Sequence, residues 1–258
     1  MDRAQRQPGP AEYREPIARA REWIIGLQSK NGGWGAFDAD NNDDYLNHIP
    51  FADHGALLDP PTEDVTARCL SMLAQLGDNA AKTPAVASAI AYLRRTQLAD
   101  GSWFGRWGMN YIYGTWSVLC ALNAAGVHHK SPEIRKAADW LVSIQNPDGG
   151  WGEDGSSYKL DYRGYERAPS TASQTAWALL GLMAAGDVDH PAVKRGIDYL
   201  SARQGADSLW AEERYTAVGF PRIFYLRYHG YAKFFPVWAM ARYRNLKSAN
   251  STLVAYGM

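Results

Sequence analysis

The segment DPPTEDVTAR, residues 59–68, holds the charged side chains whose types and spacing are best suited to chemistry. Asp64 and Arg68 are four residues apart, so a helix that begins near Thr62 would place both on one face. A guanidinium group can hold a carboxylate through two parallel hydrogen bonds. The same spacing is common in surface ion pairs, so the two residues alone do not distinguish a structural from a chemical role.

Aromatic side chains form the second group that could take part in chemistry. The chain has 10 Trp, 15 Tyr and 7 Phe in 258 residues, and the face of an aromatic ring attracts cations. Phe220, Phe224, Tyr228 and Tyr231 fall in one stretch that leads from a loop into a helix. Such rings also fill ordinary cores, so their clustering is compatible with core packing as well as with binding.

Motifs for metals, phosphate groups and nucleophilic catalysis are weak or absent in the sequence. DADNNDD, residues 38–44, alternates oxygen ligands as a calcium loop does, but Asp43 replaces the glycine at position six and Ile49 the glutamate at position twelve. His48 and His54 flank Asp53 without a ligand motif. The sequence has neither a glycine-rich phosphate loop nor a Ser–His–Asp order. We therefore expect no metal site and no cofactor.

Charge and composition exclude several further classes of function. The formal net charge is zero, whereas nucleic-acid-binding domains carry a basic excess, so we expect no nucleic-acid partner. Cys69 and Cys120 lie in apolar runs and are expected to be buried free thiols. The N-terminus lacks the apolar segment of a signal peptide. No apolar run approaches the ~18 residues of a membrane-spanning helix.

The elements that must position these residues repeat along the chain. In four places a glutamine is followed six residues later by a tryptophan, and a ring precedes each glutamine by five residues. The pairs are Gln28–Trp34, Gln97–Trp103, Gln145–Trp151 and Gln204–Trp210, which follow Trp23, Tyr92, Trp140 and Tyr199. One internal spacing in four copies indicates a structural repeat. We expect the tryptophans to be structural, with each glutamine bonded to the backbone of an adjacent helix end and the tryptophan ring stacked on it.

Each copy of the repeat predicts a pair of helices. Amphipathic segments such as SPEIRKAADWLVSIQ precede the glutamines, with Ser131 as the N-cap and Pro132 at the first helical position. More apolar segments such as STASQTAWALLGLMAAG follow the tryptophans and end at glycine, as helix C-termini often do. A helix that is apolar on all sides must be covered on all sides.

These patterns predict an all-α fold that forms a single domain over residues 1–258. The predicted architecture is an α/α barrel of helical hairpins with Gln–Trp repeats. The sequence predicts about eight helices, which form four hairpins. A complete α6/α6 toroid has six hairpins, so this barrel would be incomplete. The long loops after the tryptophans would gather at one mouth. We expect residues 1–11 to be disordered.

The repeated Gln–Trp turns and the segments between them resemble the triterpene cyclases, and in particular the bacterial squalene–hopene cyclases. The segments that carry the resemblance, in that family's order, are QSKNGGWGAFDADN, NHIPFADHGALLDPPTEDVTAR, DGSWFGRWGMNYIYGTW, QNPDGGWGED, STASQTAWALL and GFPRIFYLRYHGYAKFFPVWAMARY. The resemblance covers roughly residues 12–246 and corresponds to the C-terminal part of such an enzyme. It implies a role in the cationic polycyclisation of squalene to hopene or hopanol.

By this resemblance, the family's proton donor lies in an Asp-x-Asp-Asp motif upstream of the matching region, and neither DADNNDD nor TEDVTA replaces it. Protonating an alkene needs a strong acid, hence carboxylates held together with hydrogen-bond donors and a nearby cation. The resemblance assigns Asp59, Asp64 and Arg68 to the support of that acid. The family has histidine at the Arg68 position, and an arginine can hold a carboxylate but is no acid at neutral pH. We expect this chain alone to be inactive.

The resemblance also implies a cavity lined with aromatic rings, which exclude water and stabilise cations without supplying a nucleophile. The residues that match this lining are Phe37, Phe51, Trp107, Tyr113, Phe220, Phe224, Tyr228 and Tyr231. Phe220 and Phe224 would stabilise intermediate cations. Phe51 matches the constriction through which substrate enters from the membrane.

The implied partners follow from the substrate. Squalene, or a similar polyprenyl substrate, is insoluble in water, so the resemblance implies monotopic attachment to the cytoplasmic face of the bacterial inner membrane, and a homodimer is compatible with it. The alternatives are a sterol- or diterpene-type cyclase, a prenyltransferase β-type subunit, a glycan-cleaving barrel, or a non-catalytic binding module. The cysteines lack the context of a zinc site, and no pair of glycosidase carboxylates is evident. A non-catalytic module would have no need of the aromatic stretch at 220–231.

Overall fold

A computed structural model describes residues 13–43, 45–46, 58–158, 164–249 and 254 of the chain. This part of the chain is mostly helical. Its eight α-helices are α1 (Arg14–Gly26), α2 (Glu63–Gln75), α3 (Pro84–Thr96), α4 (Tyr111–Ala124), α5 (Pro132–Ser143), α6 (Ala172–Ala184), α7 (Pro191–Arg203) and α8 (Tyr231–Ser248). The predictions for residues 1–11, for Phe51 and for His48 and His54 lie outside the described residues.

The helices lie in two layers that alternate along the chain. Helices α2, α4, α6 and α8 pack side by side in sequence order, while α3, α5 and α7 pack against their outer side. All 13 residues of α6 are buried, whereas α5 buries one side of its surface. This arrangement confirms the predicted alternation of apolar inner helices and amphipathic outer helices, because a helix without a polar face needs neighbours on every side.

The helix ends follow the local sequence signals. Gly77, Gly126 and Gly186 follow α2, α4 and α6 with φ of 99°, 79° and 87°, the left-handed conformation in which glycine meets no Cβ clash. Pro132 begins α5 as predicted, and Ser131 occupies the N-cap position. This confirms Ser131 as the N-cap residue, although its side chain makes no capping hydrogen bond.

Two short antiparallel strand pairs, which the sequence did not predict, accompany the mostly helical fold. Strand β1 (Trp151–Glu153) pairs with β2 (Arg167–Thr171), and β3 (Ala217–Phe220) pairs with β4 (Phe224–Leu226). Both hairpins occupy segments that the sequence predicted as loops. The second one joins the sequences AVGF and FYL, whose β-branched and aromatic side chains favour extended backbone.

The core of the described region is continuous across both helix layers and contains the two cysteines. Cys69 and Cys120 are free and buried, as predicted. Within the described ranges, no helix has the length and apolar character needed to cross a bilayer.

Candidate functional site

Gln97 makes the contacts that are typical of the Gln–Trp turns. Its Nε2 donates to the carbonyl oxygen of Gly101 at 2.9 Å, inside the turn, and to that of Glu133 at 2.8 Å, in the first turn of α5. The equivalent pair of bonds is made by Gln28 and by Gln145. Gln204 donates to the Ser208 carbonyl oxygen of its own turn at 2.8 Å. The predicted bond from glutamine to an adjacent helix is therefore confirmed in the first three turns.

Three of the four tryptophans of these turns, Trp34, Trp103 and Trp151, connect an outer helix to an inner helix. The Trp103 indole N–H donates to the Leu93 carbonyl oxygen at 2.7 Å, in α3, and its backbone N–H donates to Thr115 Oγ1 at 3.0 Å, in α4. Trp34 and Trp151 repeat both bonds. The four tryptophans are at most 5% exposed. These bonds support the predicted structural role, with the ring fixed by its own helix end.

Aromatic rings from three inner helices pack together in the core. We call Tyr113, Trp116, Trp177, Tyr231, Phe235 and Trp238 the inner aromatic cluster. Trp116 of α4 and Trp177 of α6 stack with centroids 5.8 Å apart and planes 5° apart. Tyr113 meets both indoles edge-on, at 5.5 and 5.0 Å. Phe235 of α8 does the same at 5.3 and 5.5 Å, so three helices contribute rings to a single packed surface.

Arg68 of α2 lies against this cluster. Its guanidinium carbon is 4.7 Å from the centroid of the Trp116 ring and 5.5 Å from that of Tyr113, and its Nη2 donates to the Tyr113 hydroxyl at 3.2 Å. Burial raises the pKa of Tyr113, and the nearby Arg68 charge opposes that rise. The inner aromatic cluster therefore already holds one cationic side chain near two of its rings.

Asp64 is directed to a different neighbour. It is 2% exposed, and its Oδ2 accepts the backbone N–H of Trp107 at 2.9 Å. Its Oδ1 is buried and has no hydrogen-bond partner in the described part of the chain. A buried carboxylate oxygen without a donor is unfavourable. The sequence placed Asp64 and Arg68 on one helix face, but the structure gives them separate contacts, Trp107 for one and the inner aromatic cluster for the other.

Asp59 holds the loop that carries Phe37. Its carboxylate oxygens accept the backbone N–H groups of Ala36 at 3.0 Å, of Asp38 at 2.8 Å, and of Phe37. Phe37 is 70% exposed, and its ring meets Trp107 edge-on with centroids 5.8 Å apart. In this geometry Asp59 is a loop-positioning residue.

Arg106 lies between the rings of Trp107 and Phe220, and each of these rings meets a further phenylalanine. We call Phe37, Trp107, Phe220 and Phe224 the loop aromatic cluster. Arg106 donates from Nη1 to the Gly219 carbonyl oxygen at 2.9 Å, and its guanidinium carbon lies 4.3 Å from the Trp107 ring and 6.0 Å from the Phe220 ring. Phe220 and Phe224 meet edge-on at 5.4 Å. Arginine stacking thus joins the loop of Trp107 to the β3–β4 hairpin.

Tyr228 and Tyr231 connect the hairpin to the inner aromatic cluster. Their ring centroids are 5.1 Å apart, and Tyr231 lies 5.7 Å from Trp177. Tyr228 is 51% exposed, while burial raises the pKa of Tyr231. Of the predicted cavity rings, Tyr113 and Tyr231 belong to the inner aromatic cluster, with Tyr228 beside them.

The sequence did not predict several residues of this site. Trp116 and Trp177 lie in helices that are apolar on every side. The available signal was their position, one residue after Thr115 and two residues after Thr175, the threonines that bind the tryptophans of the Gln–Trp turns. Phe235 and Trp238 follow the aromatic stretch that was singled out and extend it along α8.

Two buried glutamates were also missed. Glu153 accepts the backbone N–H groups of Asn110, Tyr111 and Ile112 at 3.0–3.1 Å, so it caps the N-terminus of α4. Burial raises its pKa to about 7, against the three amide bonds that lower it. Glu212 accepts the Ser173 N–H at 2.8 Å at the start of α6. The available signal was the sequence Trp-x-Glu, which occurs in the last two turns.

Comparisons with known proteins agree on one family. The family model described as squalene–hopene cyclase C-terminal domain matches residues 1–245. A probable squalene–hopene cyclase of Sinorhizobium fredii is 72% identical over 97% of this chain, and the squalene–hopene cyclase of Bradyrhizobium diazoefficiens is 69% identical over 100%. The chain spans 39% of the length of both relatives.

A solved structure agrees at the level of the fold. A type II terpene cyclase from Scytonema, in complex with merosterolic acid A, has a TM-score of 0.55 at 19% identity, over 87% of this chain and 65% of that one. The match of the family model to nearly the whole chain decides the assignment. The chain belongs to the squalene–hopene cyclase family and corresponds to its C-terminal domain.

Proposed function

We propose that this chain is the C-terminal part of an enzyme that cyclises squalene to hopene or hopanol, and that it supplies one wall of the cavity. The observation that carries the proposal is the convergence of Tyr113, Trp116, Trp177, Tyr231 and Phe235 from three inner helices. A scaffold that only needed a core could fill this space with aliphatic side chains. Ring faces provide about 0.5–2 kcal/mol for each cation contact and offer no nucleophile.

The barrel is part of the same proposal. The helices alternate between two layers, and hydrogen bonds join each of the first three Gln–Trp turns to the next outer helix through Gln28, Gln97 and Gln145. Both features support an incomplete α/α barrel of four hairpins. In this arrangement the inner helices face a cavity that the rest of the enzyme completes. The loop aromatic cluster would lie at its mouth, with Phe220 and Phe224 stabilising intermediate cations.

Asp64 and Arg68 would support the acid that starts the reaction. The buried Oδ1 of Asp64 can accept a hydrogen bond from a group outside the described chain. Arg68 supplies a permanent positive charge, which favours an ionised carboxylate nearby. We propose that both hold the proton donor, carried by the Asp-x-Asp-Asp segment of the family, in its active geometry.

The polyprenyl substrate also implies a location. Because squalene partitions into lipid, we propose that the complete enzyme attaches to the cytoplasmic face of the bacterial inner membrane. Phe51, at the substrate entrance, is part of this proposal through the family resemblance alone.

A fusion protein provides the test. The N-terminal part of the Bradyrhizobium diazoefficiens relative, joined to this chain in place of its own C-terminal part, restores the full length with a closely matched domain. We expect the fusion to convert squalene to pentacyclic products, measured by gas chromatography and mass spectrometry, and the isolated chain to give none. A folded fusion without product, or product from the isolated chain, would contradict the proposal.

A further inference from the structure

A groove lies on the side of the β3–β4 hairpin that faces the short helix at Gly155–Ser157. Its volume is about 660 Å³, in the range of small-molecule sites. We call it the hairpin groove. Its lining includes Met109, Tyr158, Arg214, Tyr215, Arg222 and Tyr225.

The hairpin separates this groove from the loop aromatic cluster. Tyr225 donates its hydroxyl proton to the Gly155 carbonyl oxygen at 3.0 Å, and its ring lies 6.3 Å from that of Tyr158. The preceding residue, Phe224, packs instead on Phe220 and on Gly219. Successive residues of a strand point to opposite faces. The groove is therefore distinct from the proposed cyclisation cavity.

The charges in the groove leave one positive group in excess. Arg214 forms an ion pair with Asp154, and the pKa of Asp154 is lowered by the Ser156 amide and by Arg214, so this pair is neutral overall. Arg222 is exposed, and its guanidinium group has no ion-pair or hydrogen-bond partner among the described residues. A single arginine suits one anionic group better than a diphosphate.

A β-turn places Arg222 at the tip of the hairpin. The Ile223 N–H donates to the Phe220 carbonyl oxygen at 3.0 Å, and Arg222 takes the third position of this turn, which accounts for its φ of 71°. The Arg222 N–H donates to the Tyr225 hydroxyl at 3.2 Å. Met109 and the Tyr158 ring provide an apolar floor next to this cation.

We propose that the hairpin groove binds a single-chain amphiphile with one anionic headgroup, a carboxylate or a phosphate monoester. The headgroup contacts Arg222, with Arg214 nearby. The alkyl chain lies along Met109, Tyr158 and Tyr215. Binding in the hairpin groove is independent of the proposed cyclisation.

Isothermal titration calorimetry on the 258-residue chain tests the proposal, with decyl phosphate and decanoate below their micelle concentrations as probes. We expect saturable binding of at least one probe. Arg222→Asn should weaken it about tenfold or more, because a charged hydrogen bond is lost while asparagine tolerates the left-handed backbone. Arg244→Asn, at an exposed arginine of α8 outside the groove lining, is the matched control and should change binding by less than about twofold.

Decyl glucoside and inorganic phosphate separate the two parts of the ligand. The proposal expects both to bind much more weakly than the anionic probes, and the preferred probe identifies the headgroup. Three results would overturn it: no saturable binding of either anionic probe, equal losses in the two arginine variants, or equal affinity for decyl glucoside or inorganic phosphate. Circular dichroism of each variant confirms that the comparison is made on folded protein.

Discussion

Replacing Gln97 by leucine tests how the helical hairpins are joined. The side chain is half-buried, and its amide donates one bond to Gly101 within the turn and one to Glu133 of α5. Leucine has a similar volume but no donor, so both carbonyl oxygens lose a partner. At roughly 1 kcal/mol for each neutral hydrogen bond, we expect the free energy of unfolding to fall by about 1–2 kcal/mol.

Gln204→Leu is the matched control. Gln204 is exposed and makes the bond within its own turn, to Ser208, but none to another described helix. We expect this variant to lose about 0.5 kcal/mol or less, since water can replace the one bond. The difference of about 1 kcal/mol corresponds to a Tm difference of roughly 2–4 °C for a chain of this size.

Urea unfolding followed by circular dichroism measures both free energies. Native-state hydrogen exchange adds a local measurement, because Gln97→Leu should increase exchange in α5 (Pro132–Ser143) more than in α7 (Pro191–Arg203). Equal destabilisation by the two variants, or unchanged exchange in α5, would refute the inference that the bond to Glu133 joins neighbouring hairpins.

Two further predictions concern buried carboxyl groups. Asp64→Asn keeps an acceptor for the Trp107 N–H but removes the charge, so the rate of cyclisation by the fusion protein should fall about 100-fold or more. The control Asp198→Asn, at an exposed residue, should leave the rate within about twofold. Equal rates in the two variants would exclude Asp64 from the support of the acid. Burial raises the pKa of Glu63 to about 8. Between about pH 5 and 8 the folded chain therefore keeps a proton that the unfolded chain releases. The free energy of unfolding should fall as the pH rises through this range, by at most about 1.4 kcal/mol per pH unit. Urea unfolding at pH 5.5 and 8 should show a smaller fall in the free energy of unfolding for Glu63→Gln than for the original protein. The same fall in both proteins would contradict the raised pKa of Glu63.

Local signals in the sequence were sufficient to predict the helices. Gly77, Gly126 and Gly186 end inner helices, because a left-handed backbone favours glycine regardless of what packs around it. The same locality made the start of α5 predictable. A serine before a proline marks the helix start, whereas the hydroxyl hydrogen bond, which Ser131 does not make, depends on a rotamer that the sequence does not specify.

The site was harder to predict because its contacts join distant residues. The spacing of Asp64 and Arg68 specifies a shared helix face, but the partner of Asp64 is a backbone N–H 43 residues away. Trp116 and Trp177 are 61 residues apart and stack on each other, and nothing in a helix that is apolar on every side shows which rings will meet. The aromatic stretch from Phe220 was recognised through the family resemblance.

The product profile of Phe220→Leu in the fusion protein tests the central claim most directly. Leucine fills much of the space of phenylalanine but has no ring face, and Phe234→Leu, at a ring that is 74% exposed on α8, is the matched control. Losing a cation contact of about 0.5–2 kcal/mol should divert squalene to incompletely cyclised products by roughly two- to thirtyfold. A profile of Phe220→Leu that matches the control would contradict the claim that these rings stabilise the cation.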